Sequence, residues 1–140
     1  MEKLTVAQVM SRPILSIKEA DSLAAAYTIM AAAAVRHVPV VNEHNALVGL
    51  ISQTDLVQHT RSKLEELTED EKERTLSKIK AADIMVKTVK HAYLAQDIRE
   101  AGKIMLDNKY GCLPVLRGME LVGILTEADF VKYVVEHANG

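Results

Sequence analysis

Tryptophan is missing from this chain, phenylalanine and cysteine occur once each, and proline occurs three times. With no Trp and a single Phe there is no run of flat rings for single-stranded nucleic acid to stack on. The core must therefore be built from Val, Ile, Leu, Met and Ala. A lone Cys112 excludes an intramolecular disulfide and fits a reducing compartment. Excess charge is lacking too: 17 basic against 19 acidic residues leave a net charge of −2, so nothing pulls the whole chain toward nucleic acid. A local basic pocket is still compatible with that balance. No apolar run is long enough to span a bilayer. "LAAAYTIMAAAAV" comes nearest and is short and Ala-rich, while the start, "MEKLTVAQVM", has no apolar h-region. These absences predict a soluble, cytoplasmic protein with neither a membrane nor a nucleic acid as partner.

Chemical motifs are also missing. There is no GxGxxG, Walker loop or GxSxG, and none of the histidines at 37, 44, 59, 91 and 137 has the i, i+4 spacing of a helical metal pair. Cys112 lies in an apolar run, the usual home of an inert buried thiol. The expectation is a protein without catalytic residues or a metal site: not an enzyme.

What is present is a duplication. The 140 residues, 49% of them hydrophobic, suit one domain or two very small ones sharing a core. "AQVMSRPI" from Ala7 aligns with "ADIMVKTV" from Ala82, Ile29-Met30 with Ile104-Met105, and "HVPVV" with "CLPVL". One residue is lost between the turns "NEHNA" and "RGME", after which "LVGLISQTDLV" lies on "LVGILTEADFV". Such a repeat covers nearly everything except the middle.

Each copy reads as helix, strand, helix, strand, strand, helix. Thr5 and Gln8 have capping-box spacing for a short helix ending near Met10. "ILSI" and "VKHA" are short strand candidates. Asp21 or Ser22, and Asp97, are candidate N-caps. Leu23, Ala26, Tyr27 and Met30 share one helical face, as do Ile98, Ala101, Gly102 and Met105. "HVPVV" and "CLPVL" are apolar strands whose prolines suggest a strand start or an edge. Further helices begin near Gln53 and Glu127. The interspersed charges of "QHTRSKLEELTEDEKERTLSKIKA" predict a solvated linking helix, broken near Thr68. The division expected from the repeat is 1–62 for the first unit, 63–78 for a charged helical linker and 79–140 for the second unit.

The repeated Gly-h-h-Ser/Thr-x-x-Asp closes each copy. A helix starting near Ser52 points its free N–H groups and its dipole at whatever precedes it. Asp55, one turn on, adds an acceptor-only carboxylate. Thr126 and Asp129 repeat the arrangement. Donors beside a carboxylate suit a nucleotide, with phosphate on the helix end and ribose hydroxyls on the acid. The alternative is plain capping, Ser52 and Thr126 as N-caps and the two acids as first-turn carboxylates.

Through "VMSRPI", "RHVPVV" and "LVGLISQTDL", and again "IMVKTV", "CLPVL" and "LVGILTEADF", the chain resembles the tandem cystathionine-beta-synthase (CBS) domain pair, or Bateman module. The resemblance implies a mixed α/β fold of two such units packed around a pseudo-twofold axis. It implies a regulatory module binding an adenosine compound (AMP, ADP, ATP, NAD or S-adenosylmethionine) in one or two clefts, with ribose on Asp55 and Asp129 and phosphate on Ser52 and Thr126. By the same resemblance Arg36 and His37 stand where basic phosphate contacts are placed. Their second-copy partners, Gly111 and Cys112, are not basic. Lys87 and Thr88 match Arg12 and Pro13, so the clefts should differ in charge. Ile14, Val38, Val89 and Leu113 are candidate walls for the adenine ring, or ordinary core. No cofactor is required, Mg²⁺ accompanying the ligand only where it is ATP. A homodimer and an unidentified effector protein complete the expected partners. The rival expectation is an interaction or oligomerisation module with vestigial ligand sites.

Overall fold

The computed structural model describes residues 3–11, 15–64 and 67–137, and for 59–64 the backbone alone. In chain order the elements are α1 (Val6–Val9), β1 (Ile17–Lys18), α2 (Leu23–Ala33), β2 (His37–Val41), β3 (Leu47–Ser52) and α3 (Gln53–Leu64). They continue with α4 (Glu69–Ser77), α5 (Ala81–Ile84), β4 (Ala92–Tyr93), α6 (Ile98–Asn108), β5 (Cys112–Arg117), β6 (Glu120–Thr126) and α7 (Glu127–His137). The helix-strand-helix-strand-strand-helix order expected of each copy is therefore present twice. "ILSI" and "VKHA" contribute only their last residues to the short strands, which end at Lys18 and Tyr93; Ile14 lies outside the described residues.

Each copy builds one three-stranded sheet. β1 runs parallel to β2, and β2 pairs antiparallel with β3; β4, β5 and β6 do the same. The prolines do not sit at a strand start or on an outer strand. Pro39 is the third residue of the central strand β2, opposite Leu50, and Pro114 is opposite Ile124 in β5. Both are tolerated for the same reason. Leu50 turns its N–H and C=O to Val86 (3.0 and 2.9 Å), away from Pro39, and β1 pairs only with Val40 and Val41. The absent N–H of Pro39 thus falls where no ladder bond is required.

The chain forms two compact units, and they are not cut where the written repeat is cut. One comprises Leu15–Val89; the other joins Met1–Ile14 to Lys90–Gly140. The opening helix of each copy packs in the unit built by the other copy. In the unit containing the second copy, Val6 and Ala7 donate backbone N–H bonds to Gln96 and Leu94, Leu4 accepts from Ile98, and Ser11 bridges to Ile124. In the other, Ala81 and Ala82 donate to Asp21 and Glu19, and Val86 bridges to Leu50. The glycine of each repeated motif is explained by this exchange. A Cβ on Gly123 would lie 2.6 Å from Sδ of Met10, and one on Gly49 would collide with Sδ of Met85. Each methionine seats on bare backbone.

The cores follow from the helical faces read in the sequence. Leu23, Ala26 and Met30 of α2 pack with Val38, Val40, Ile51 and Leu56; Ile98, Ala101 and Met105 of α6 pack with Leu113, Val115 and Leu125. The charged middle breaks at Thr68, whose hydroxyl accepts the N–H of Glu71 at 3.2 Å to start α4. That helix is not wholly solvated. Leu76 is fully buried in the Leu15–Val89 core, anchoring a span otherwise dominated by charge.

Candidate functional site

The hairpin β2–β3 ends where α3 begins, and this junction assembles the first hydroxyl–carboxylate pair. The N–H of Gln53 donates to the carbonyl of Arg36 at 2.8 Å, locking the helix start to the head of β2. The N–H of Asp55 donates to Oγ of Ser52 at 3.0 Å, and the N–H of Ser52 donates to Oδ2 of Asp55 at 3.3 Å. Two donors that the helix would leave orphaned are satisfied reciprocally. Thr126 and Asp129 repeat the exchange at 3.3 and 2.8 Å, and the N–H of Glu127 reaches the carbonyl of Gly111 at 3.3 Å.

The cap consumes one oxygen of each carboxylate and leaves Oδ1. At Asp129 that atom accepts the hydroxyl of Ser11 at 2.5 Å, and the residue is only 8% exposed. Asp55 is half-buried. A carboxylate offers about four acceptor positions, so the capping role and a ligand role are chemically compatible at one residue.

The remaining expected site residues distribute unevenly. Arg36 is exposed, and His37 is half-buried opposite Ser52 in the hairpin register. Lys87 and Thr88 are exposed and Val89 is half-buried, and all three belong to the Leu15–Val89 unit. They therefore share a unit with Ser52 and Asp55 rather than with Asp129, contrary to their position in the second written copy. The exchange of opening helices is the cause. Basic groups at 36 and 87 are thereby collected in one unit. In the other, the positions matching Arg36 and His37 are Gly111 and Cys112; Arg12, Pro13 and Ile14 lie outside the described residues. Val38 and Leu113 have no exposed surface and lie in the two cores. Burial pushes the Cys112 thiol up to about 12, which keeps it protonated at neutral pH. Among the described residues no group of three His, Cys, Asp or Glu could hold a metal ion.

Ser11 was missed by sequence reasoning, which treated its segment only as repeat. The signal was available as a mismatch: Ser11 aligns with Val86, a hydroxyl against none. A second feature absent from the sequence reading is an apolar groove of about 480 Å³, lined by Leu4, Val9, Gly102, Leu106, Phe130 and Val134 among others. It lies along α1, α6 and α7. Gly102 leaves it open, where the first copy carries Tyr27. The same helices expose Leu106 (82%) and Val135 (74%).

Comparison with known proteins bears on this geometry. The CBS domain family matches residues 6–61 and 81–136. A CBS domain-containing protein of Dictyostelium discoideum is 30% identical over 96% of this chain and 93% of its own length. A homoserine O-acetyltransferase of Methanococcoides burtonii is 29% identical over 93% of this chain but 24% of its own, and an uncharacterized protein of Methanocaldococcus jannaschii is 27% identical over 91% and 41%. The chain thus spans about a quarter to two fifths of the length of these last two relatives. Among solved structures, a Vibrio cholerae protein superposes with a TM-score of 0.84 at 27% identity, covering 99% of this chain and 95% of that one. The CBS domain pair of protein MJ0100, in complex with 5′-methylthioadenosine and S-adenosyl-L-methionine, gives 0.77 at 21% identity over 96% and 98%. CBSX2 in complex with AMP gives 0.76 at 23% over 94% and 96%. With both copies matched and each built as a small sheet flanked by helices, the chain belongs to the CBS domain family and carries that domain in tandem.

Proposed function

We propose that the chain is a regulatory, non-catalytic module that binds an adenosine-containing nucleotide (AMP, ADP, ATP, NAD or S-adenosylmethionine) and passes the signal to a partner protein. The observation that carries this reading is the half-used carboxylate. Ser52 and Asp55 are held rigidly by their reciprocal cap, yet Oδ1 of Asp55 stays available beside a helix N-terminus. A ribose hydroxyl would donate to that oxygen, and phosphate oxygens would accept from the Ser52 hydroxyl, with Arg36 and Lys87 supplying positive charge from the same unit and His37 a further polar contact. Among the described residues Val89 is the wall candidate with exposed surface to offer an adenine ring, whereas Val38 and Leu113 lie in the cores. Family members crystallised with 5′-methylthioadenosine, S-adenosylmethionine and AMP support the ligand class. No cofactor is needed for this, and Mg²⁺ enters only as the companion of ATP.

The signal requires two arrangements for which the ligand has different affinity. The exposed apolar face of α6 and α7 supports a homodimer as the assembly in which those arrangements differ. An effector outside this span is supported by the acetyltransferase relative, in which the matching segment is a quarter of the length. That same apolar face also favours the rival reading, an interaction module whose nucleotide sites are vestigial.

A thermal-shift panel across the adenosine series separates the two. A ligand at about 100 times its dissociation constant stabilises the folded chain by about 2.7 kcal/mol. Stabilisation by at least one member is expected. Silence across the whole series would leave the interaction module as the better account.

A further inference from the structure

The two hydroxyl–carboxylate pairs differ in one contact. At Asp129 both carboxylate oxygens are engaged, Oδ2 by the N–H of Thr126 (2.8 Å) and Oδ1 by the hydroxyl of Ser11 (2.5 Å). At Asp55, Oδ2 accepts the N–H of Ser52 (3.3 Å), and Oδ1 receives no hydrogen bond among the described residues. A single residue makes the difference. Ser11 and Val86 occupy the same place in their units, one bridged to Ile124 and the other to Leu50. Valine has no hydroxyl to offer.

Resting on the nucleoside reading above, we propose that Ser11 is a built-in occupant of the second pair. Its alcohol sits on Asp129 where a ribose alcohol would sit, so the pair made by Asp55 takes the ligand and the chain binds one nucleotide. A ribose diol and a serine hydroxyl offer a carboxylate the same group, an O–H donor. The tethered donor has the advantage, because its effective concentration at Asp129 is set by chain geometry, on the order of millimolar or above for a short tether. A nucleotide entering there must first break a hydrogen bond to a charged acceptor. At Asp55 it has no hydroxyl to displace. One charge agrees with this assignment: Arg36 lies in the unit of Asp55 and its counterpart in the other unit is the neutral Gly111, whereas Lys87 is matched there by another basic residue, Arg12.

The test is calorimetric titration of the full chain with AMP, comparing wild type with Ser11→Ala, Ser11→Ala/Asp129→Ala, Val86→Ser and Asp55→Ala. One AMP per wild-type chain is expected, bound about 10- to 150-fold more weakly in Asp55→Ala. Ser11→Ala should bind two, and the added class should vanish when Asp129→Ala is combined with it. Val86→Ser installs the missing hydroxyl beside Asp55 and should weaken the wild-type site about tenfold or more. Val86 is exposed, so this variant tests the idea independently should Ser11→Ala fold poorly. Two AMP per wild-type chain, or one in Ser11→Ala as in wild type, would overturn the role of Ser11 while leaving nucleotide binding intact. Absence of binding in both wild type and Ser11→Ala, with AMP and then with each other member of the adenosine series, would instead remove the nucleoside reading, and the role of Ser11 with it.

Discussion

The two copies of one motif, set side by side, show how little change separates a fully engaged carboxylate from one with an oxygen to spare. Both copies cap a helix with a hydroxyl residue and an aspartate three positions on, and both seat a methionine on a glycine. Only the second buries its acid; there Ser11 donates its hydroxyl to Asp129, while Val86 stands at the matching point of the other unit, bridged to Leu50. Duplication preserves the scaffold easily, since packing constrains every core residue. The single polar contacts are free to diverge, and those decide what each carboxylate has left to offer.

The comparison can be broken most decisively at its cores. Leu113→Ala should cost about 2–5 kcal/mol of stability in the absence of any nucleotide, the usual penalty for emptying a buried leucine site. Chemical denaturation measures it. A loss below about 1 kcal/mol would return Leu113 to the list of ligand walls.

At the proposed open site, Asp55→Ala should weaken nucleotide binding by about 1.5–3 kcal/mol, the value of a hydrogen bond to a charged group. Unchanged affinity would detach the ribose from Asp55.

The exchange of opening helices is tested by Gly49→Ala, expected to cost about 1–3 kcal/mol through overpacking against Met85. Added Met85→Ala should relieve that cost, whereas added Met10→Ala should simply sum with it. Relief by Met10→Ala in place of Met85→Ala would mean that each copy keeps its own helix.

The two strand heads offer a further contrast, His37 against Cys112. The folded thiol is held at about 12 against an ordinary 9.0. Above pH 9.0 the unfolded chain releases a proton that the folded chain retains, so this group's contribution to stability falls as pH rises from there toward about 12. Cys112 should therefore stay inert to a thiol reagent at pH 8 until the chain unfolds; rapid labelling of the native protein would contradict its burial.

The smallest effect belongs to a feature the copies share. Ala34 and Lys109 end their helices in the left-handed region, at φ of 54° and 57°. Glycine at either position should stabilise by about 0.5–1 kcal/mol, because the left-handed turn then carries no Cβ penalty. Thermal unfolding of each single variant checks it, and equal gains are expected in the two units.

Much of this was legible beforehand, for identifiable reasons. The α2 and α6 faces showed because buried positions recur at helical spacing, and the Ser52/Asp55 and Thr126/Asp129 caps showed because they are local, three residues apart. The break at Thr68 showed because a capping residue must sit where a charged helix restarts. The burial of Leu76 did not, since one leucine in a charged span carries no period. Nor did the central placement of Pro39 and Pro114, which depends on where a neighbouring strand stops.

From the residues alone followed the doubled unit, its element order, its core faces and the polar pair that closes each copy, all encoded by local spacing and by self-similarity. Only the folded chain assigned Met1–Ile14 to the second copy's unit and Lys87 to the first, and only it set Ser11 on Asp129. The physical reason is degeneracy. Two near-identical motifs present each opening helix with two near-identical glycine seats, and no property of a linear string says which one it will occupy.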